Sequence, residues 1–160
     1  AWPDDDARAE FFKKRNDFYS NEHSDEIYSI IDGAKPLAEM PTKDLTLYLR
    51  ISHFAFPEDG TMKEWKELRD ERLEKVVHKN EFVLGYYPST HYYGADRTEF
   101  IEAFYVEDLA SLEKMLDRSP ELAKEAWSDE ERKERWEKGS KYYTGVHEDY
   151  IYTYVSGLSK

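Results

Sequence analysis

The charged residues best suited to chemistry lie on two predicted strands that could be neighbours. In the segment 45–56, aliphatic and polar residues alternate, which places Tyr48 and Arg50 on the same face of a strand. In the segment 98–105, Glu102 alternates with aliphatic or small neighbours. If the two strands pair, Arg50 and Glu102 approach each other, and inward-facing charges are costly unless they are paired. The pattern therefore indicates either a structural ion pair or an anchor for a polar or carboxylate ligand.

Three of the five histidines lie at the ends of predicted strands or in a predicted connection. His53 ends the first strand, His91 lies in the central connection and His147 opens the last strand. If these positions meet at one mouth of a barrel, a histidine could act as a base, or all three could bind a metal or haem. No pair has a ligand spacing such as H-x-x-x-H. We therefore predict no metal and no cofactor, with haem or a metal as the weaker alternative.

Residue type and strand face give candidate roles to seven residues. Proton transfer requires groups that can gain and lose a proton, so the candidate catalytic residues are His91, His147 and Glu102. Aromatic and cationic side chains would hold a ligand, and the candidate ligand-binding residues are Tyr48, Arg50, His53 and Tyr86. The hydrolase motif G-x-S-x-G and the zinc-peptidase motif H-E-x-x-H are both absent. No motif therefore names a reaction.

Length and composition predict a single acidic globular domain. The 160 residues carry a formal charge of −12, which argues against nucleic acid as a partner. No apolar run approaches the ~18 residues that a membrane span needs. The absence of cysteine excludes disulfides, cysteine-bound zinc, iron–sulfur clusters and a thiol nucleophile. The chain opens Ala1-Trp2-Pro3 without a methionine, and we expect an exported or periplasmic protein rather than a cytoplasmic one.

Periodicity and turn residues predict a helical N-terminal extension (1–40) followed by an α+β domain (41–160). The second helix of the extension is predicted from Ser24 to Ile31, and the extension either packs on the domain or crosses to a partner subunit. The domain is predicted to contain strands at 45–56, 82–87, 98–105 and 147–155 and helices at 61–79 and 106–136. This β-α-β-β-α-β order is that of the ferredoxin-like plan, an antiparallel four-stranded sheet with both helices on one face.

The two faces of the first domain strand differ in polarity. One face carries Leu47, Leu49 and Ile51, and the helix at 61–79 presents an apolar stripe that includes Trp65. We therefore expect the helix to cover this aliphatic face. The opposite face, with Arg50, would then be free of helices. An uncovered face of this kind predicts a dimer.

The predicted architecture, together with the segment 86–104, resembles the dimeric α+β barrel superfamily. In that segment Tyr86-Tyr87 leads through His91-Tyr92-Tyr93-Gly94 into a strand. The likeness covers about 45–155 and includes no catalytic signature of any one member. The superfamily includes cofactor-free monooxygenases, muconolactone-isomerase-like proteins, stress-responsive barrel proteins and haem-binding chlorite-dismutase relatives. The resemblance implies a homodimer in which two sheets face each other around a lumen.

Two functions follow as expectations. The first is a homodimeric barrel that binds a small aromatic or polar organic molecule in its lumen, with oxygenation or isomerisation implied by the resemblance if the protein is an enzyme. The alternative is a non-catalytic interaction or structural protein whose open sheet face is only a dimer or partner interface. A cavity of roughly 300 Å3 or more would favour the first, and a packed, dry interface would favour the second.

Overall fold

The computed structural model describes residues 2–18, 25–94 and 96–158 and shows an α+β protein with one antiparallel sheet. Its α-helices are α1 (Asp5–Asn16), α2 (Met62–Arg72), α3 (Leu109–Ala126) and α4 (Asp129–Ser140). Its strands are β1 (Ile27–Ile30), β2 (Leu45–Phe54), β3 (Gly85–Tyr93), β4 (Glu99–Val106) and β5 (Tyr143–Tyr154). A π-helical turn (Leu73–Val77) extends α2, and a 3-10 turn (Ser156–Leu158) follows β5.

The strands lie in the order β1-β3-β4-β2-β5, and every neighbouring pair is antiparallel. The sheet therefore has five strands where the sequence predicts four. β2 lies between β4 and β5, so Arg50 has Glu102 on one side and Asp149 on the other. β5 forms one edge of the sheet and β1 the other.

The fifth strand comes from a segment predicted to be helical. The predicted helix from Ser24 to Ile31 is wrong where the structure describes it, because Ile27–Ile30 is an edge strand paired with β3; Ser24 lies outside the described residues. Periodicity alone does not distinguish a short apolar run as helix or strand, and β-branched residues favour a strand beside an open edge. The segment 1–40 therefore contributes both the helix α1 and one strand of the sheet.

β3 is longer than predicted because Pro88 does not end it. The sequence predicts a strand at 82–87, whereas β3 continues to Tyr93 and includes His91. The backbone N–H of Ile31 donates to the carbonyl of Pro88 at 2.9 Å. The N and O of one residue in an antiparallel strand point to the same side. Because the carbonyl of Pro88 points towards Ile31, the N–H that proline lacks would also have pointed away from β4. The ladder to β4 therefore loses no hydrogen bond at this position.

Helices α2 and α3 pack on one face of the sheet, and aromatic rings fill the contact. The ring centroid of Trp65 lies 5.1 Å from that of Phe54 and 5.4 Å from that of Phe100. Met115 of α3 belongs to the same buried cluster as Tyr48. This covered face carries the buried positions of β4, which alternate with partly exposed ones.

The prediction that the helices cover the aliphatic side of β2 is wrong. Leu47, Leu49 and Ile51 lie on the opposite side of the sheet and are partly exposed. Alternation separates the two faces of a strand but does not identify the covered one. The strand phenylalanines Phe54, Phe100 and Phe104 are buried on the covered face here. The opposite side is called the helix-free face below; it carries Leu47, Leu49, Ile51, Tyr87, Ile101, Ala103, Tyr105, Tyr150 and Tyr152.

Helix α2 ends in a widened turn. The backbone N–H of His78 donates to the carbonyl of Leu73 at 2.8 Å, a bond that spans five residues. Leu73, Val76 and Val77 are all buried. Turns of this type occur frequently at functional sites, and this one directly follows Arg72.

Candidate functional site

A cavity of about 330 Å3 lies between α2, α3, α4 and one end of the sheet. We call it the arginine cavity, because four arginines line it and no carboxylate does. Its volume falls within the range of roughly 300–1,000 Å3 that is typical of small-molecule sites. Its walls are formed by Trp65, Leu68, Arg69, Arg72, Phe100, Ala123, Trp127, Arg132, Arg135, Trp136, Gly139 and Tyr143.

The aromatic walls of the arginine cavity present ring surfaces rather than free N–H groups. The indole N–H of Trp65 donates to the hydroxyl of Tyr143 at 2.9 Å, and that of Trp127 donates to Glu71 at 3.1 Å. Burial raises the pKa of Tyr143 to about 12, so this phenol stays neutral. Trp136 is 74% exposed and lies at the rim. These walls suit an apolar or aromatic molecule.

Three of the cavity arginines are anchored by protein carbonyls. Arg135 donates to the carbonyl of Leu68 at 2.9 Å, and Arg132 donates to that of Trp127 at 2.8 Å. Arg69 donates to the carbonyl of Asp32. Its side chain is almost fully buried, with 7% of the residue exposed, and its Nε has no hydrogen-bond partner within the described residues. This Nε is enclosed by protein atoms, so Arg69 contributes its positive charge to the wall of the cavity but no accessible donor.

Glu71, outside the wall, holds this arrangement together. Its carboxylate accepts from Lys75 at 2.6 Å, from Trp127 at 3.1 Å and from Arg135. The hydrogen bond from Lys75 and the further bonds from Trp127 and Arg135 outweigh burial and lower the pKa of Glu71 to about 2. Glu71 is therefore ionised across the ordinary pH range and fixes two walls of the cavity.

A second cavity, of about 230 Å3, lies on the other side of Arg72, which lines both. We call it the Glu102 cavity. Its charged and hydroxyl-bearing walls come from Tyr48, Arg50, Arg72, Glu102 and Ser119, and its apolar walls from Val77, Val83, Phe104, Met115 and Leu116.

Glu102 is a buried carboxylate with two strong partners. Its Oε1 accepts from the hydroxyl of Tyr86 at 2.8 Å and from Arg72 at 2.9 Å. Burial acts to raise the pKa of Glu102, but the charge of Arg72, the hydrogen bonds from Tyr86 and Arg72 and the charge of Arg50 outweigh it, so the pKa lies below its usual value. Burial and the neighbouring Glu102 raise the pKa of Tyr86. Glu102 is therefore a charged acceptor and Tyr86 a neutral donor.

Asp149 of the edge strand β5 contacts three further polar side chains beside the Glu102 cavity. It accepts a hydrogen bond from Tyr48 at 2.6 Å, and Arg50 Nε lies 3.2 Å from its Oδ1. This contact with Arg50 is an ion pair by distance but lacks hydrogen-bond geometry. Burial, followed by the bond to Asp149, raises the pKa of Tyr48 to about 12. His147 lies 3.5 Å from the same carboxylate.

The structure brings together five of the seven predicted site residues. Tyr48, Arg50 and Glu102 line the Glu102 cavity, Tyr86 is bonded to Glu102, and His147 lies beside Asp149. They lie on the helix-covered side of the sheet, and the expectation that Arg50 and Glu102 face a helix-free side is wrong. Arg72 reaches down from α2 and pairs with Glu102, a partner that the sequence pattern does not reveal.

His53 and His91 lie elsewhere. His53 is 3.2 Å from Asp96 and 3.1 Å from Thr98, and His91 Nε2 is 3.3 Å from the carbonyl of Gly94. By the strand registers, both histidines belong to the helix-free face. The three histidines therefore do not share a barrel mouth, and the catalytic roles proposed for His91, His147 and Glu102 stay predictions.

Sequence reasoning missed the arginine cavity. The signal was present as helical spacing: Arg69 and Arg72 on one helix, and Arg132, Arg135 and Trp136 on another, each recur at intervals of three or four residues. The predicted site residues include none of these positions. Only the packing of α4 against α2 shows that the two rows share one space.

Two general features complete the description of the site. Across residues 2–18, 25–94 and 96–158, no group of three or more His, Asp or Glu side chains could hold a metal ion. No helix in the described part of the chain is long and apolar enough to cross a membrane.

Comparisons with protein-family models, with curated proteins and with solved structures find no match.

Proposed function

We propose that this protein binds a small organic anion with an aromatic or apolar body in the arginine cavity. The main support is the set of arginines in the walls. Four arginines and no carboxylate line this space in a chain whose formal charge is −12. Each arginine also has a carboxylate partner outside the wall, so guanidinium groups rather than a net positive charge would contact an anion here.

The available donors indicate where the charged group of the ligand would lie. Arg69 contributes positive charge, but its guanidinium already donates to Asp32 and Asp70 and its Nε is enclosed by protein atoms. Arg72 uses one nitrogen to reach Glu102, although a guanidinium offers five N–H donors. Carboxylate, sulfonate and phosphate groups match this donor geometry. The body of the ligand would then lie against Trp65 and Trp127.

Two fluorescent dyes with the same rings test this proposal. We expect 8-anilinonaphthalene-1-sulfonate to bind one per chain and at least about tenfold more tightly than N-phenyl-1-naphthylamine, which lacks the sulfonate. The Arg69→Gln variant should lose this preference, while Lys133→Gln, which removes an exposed positive charge from α4, should keep it. Equal affinity for the two dyes in the wild-type protein would contradict the proposal.

A second candidate function is self-association through the helix-free face. Its strand positions carry no Lys or Arg, and Leu, Ile and Tyr side chains form one continuous surface. The five strands contain 4, 10, 9, 8 and 12 residues, and at roughly 3.3 Å per residue and 4.8 Å between strands they cover on the order of 700 Å2. This area is of the same order as the ~800 Å2 per partner of a standard interface. A second copy offers the same largely apolar surface, which also carries Glu99 and Glu148.

We propose the finer architecture on the same basis. From β2 onward the element order is β-α-β-β-α-β with the last helical part split into α3 and α4, and β1 is added at one edge. We interpret this as a ferredoxin-like unit with an extra strand, paired with a second unit as a dimeric α+β barrel. Light scattering at micromolar concentration should report twice the 19.1 kDa chain mass, and a single-chain mass would count against the dimer.

A further inference from the structure

Two oppositely charged groups in the Glu102 cavity have unused hydrogen-bonding capacity. Within the described residues, Arg50 makes an ionic contact with Asp149 but donates no hydrogen bond. Both hydrogen bonds to Glu102 end on Oε1, and none reaches Oε2 in the same part of the chain. Buried or half-buried groups of this kind normally have partners. The cavity therefore presents a cationic donor and an anionic acceptor to the same small space.

The spacing of these groups suits a compact ligand. Arg50 and Glu102 lie directly opposite each other on β2 and β4, so their Cβ atoms are about 5 Å apart. Both side chains line the same cavity. One small molecule with an acceptor and a donor on neighbouring atoms could therefore contact both.

The wall of the Glu102 cavity carries charged groups of both signs, whereas the charged groups in the wall of the arginine cavity are all arginines. Arg50 is balanced by Asp149, and Arg72 is balanced by Glu102. The local sum is zero, so the space favours neither a net anion nor a net cation. A neutral molecule that carries separated positive and negative groups suits this balance best.

The rest of the wall is apolar. Val77, Val83, Met115 and Leu116 line it. With a volume of about 230 Å3, the cavity is smaller than typical sites for drug-sized ligands. An aliphatic group of a few carbons would contact these side chains while the charged groups lie at the sheet.

We propose that the Glu102 cavity is a second binding site, for an α-amino acid with an apolar side chain. Its carboxylate accepts from Arg50, and its ammonium donates to Oε2 of Glu102. Tyr86 and Arg72 remain on Oε1 and hold the carboxylate of Glu102 in place. The aliphatic side chain contacts Met115 and Leu116.

Three probes test the wild-type protein by calorimetric titration: L-leucine, 4-methylpentanoate, which lacks the ammonium, and 3-methylbutylamine, which lacks the carboxylate. We expect L-leucine to bind at least about tenfold more tightly than either analogue. Equal binding of 4-methylpentanoate would remove any role for Glu102 and overturn the proposal. Absence of saturable L-leucine binding up to ~10 mM would overturn it as well.

Charge-removing variants assign the two contacts. Arg50→Gln should weaken L-leucine binding at least about tenfold while leaving the weak binding of 3-methylbutylamine unchanged. Glu102→Gln should also weaken L-leucine binding at least about tenfold, while leaving the weak binding of 4-methylpentanoate unchanged. Lys124→Gln and Glu113→Gln, exposed substitutions on α3, serve as matched controls and should bind like the wild type. If Glu102→Gln does not fold, the three probes on the wild-type protein and on Arg50→Gln still test the proposed site. L-leucine binding that is unchanged in Arg50→Gln would overturn the proposed site.

Discussion

The two faces of the sheet show opposite relations between polarity and burial. The covered face carries Arg50, Glu102 and Asp149 beneath or beside the helices, whereas the helix-free face carries aliphatic and tyrosine side chains and no Lys or Arg. Charges are tolerated on the covered face because each has a partner. The helix-free face is apolar but lacks a partner within the described chain. The difference teaches that hydrophobic alternation defines two faces but does not by itself identify the face that the helices cover.

The largest expected effect tests the covered face. Trp65→Ala should lower the free energy of unfolding by about 3–5 kcal/mol, because it removes a buried ring that packs on Phe54 and Phe100. Phe11→Ala on the terminal helix α1, where the ring is about half exposed, should have a much smaller effect. Urea unfolding measures both. Similar losses at the two positions would mean that the covered face is not the core.

A lysine on the helix-free face tests the proposed dimer. Leu49→Lys would bury an unpaired charge in each copy at the interface, so the dissociation constant should rise about a hundredfold or more. Ile151→Lys is the matched control, since Ile151 is exposed and pairs with Tyr48, which places it on the opposite face of the same sheet. Sedimentation equilibrium measures both constants. If Leu49→Lys has no effect on the dissociation constant, this face is not the interface.

A pair of double-mutant cycles sharpens the description of the charged network. Because Glu102 bonds to Arg72 rather than to Arg50, the Arg72/Glu102 cycle should give a coupling energy of about 1–2 kcal/mol. The side chain of Arg72 is 47% exposed, which keeps this value below that of a fully buried pair. The Arg50/Glu102 cycle should give a smaller coupling. The reverse order, measured by urea unfolding of the Gln variants, would reassign the partner of Glu102.

The smallest expected effect concerns acid stability. The pKa of Glu71 is lowered from 4.5 to about 2 in the folded protein, so its contribution to stability is present above pH 4.5 and is lost as the pH falls towards 2. Its side chain is 37% exposed, and after screening we expect about 1 kcal/mol.

Glu71→Gln should therefore be less stable than the wild type at pH 7 and nearly equal to it near pH 2. Glu67→Gln, one turn earlier on α2 and more exposed, should match the wild type at both pH values. Thermal unfolding across this range measures the difference. A constant gap between Glu71→Gln and the wild type would show that the carboxylate's charge is not the cause.

The sequence predicts most of the fold because its signals are local. Alternation at Tyr48 and Arg50 predicts β2, and the apolar stripe that includes Trp65 predicts α2. The edge strand Ile27–Ile30 is missed because its stability depends on the distant β3. Local periodicity carries no information about such a partner.

The sequence likewise predicts the part of the candidate site that depends on local pattern and misses the part that depends on tertiary packing. Tyr48, Arg50 and Glu102 are found because strand alternation places them on one face. Arg72 is not found as their partner, because its contact with Glu102 depends on how α2 crosses the sheet. The arginine cavity depends on the packing of α4 against α2 and is wholly a tertiary feature.

The position of Arg72 in the walls of both cavities has a thermodynamic consequence. Its guanidinium has a fixed number of N–H donors and one charge. A molecule that occupies these donors from one side changes what the other side can offer. If ligand in one cavity alters affinity in the other by some factor, linkage requires the same factor in the reverse direction. If both proposed ligands bind, this shared arginine would couple the two occupancies, and the charge of the first occupant would set the sign of the coupling.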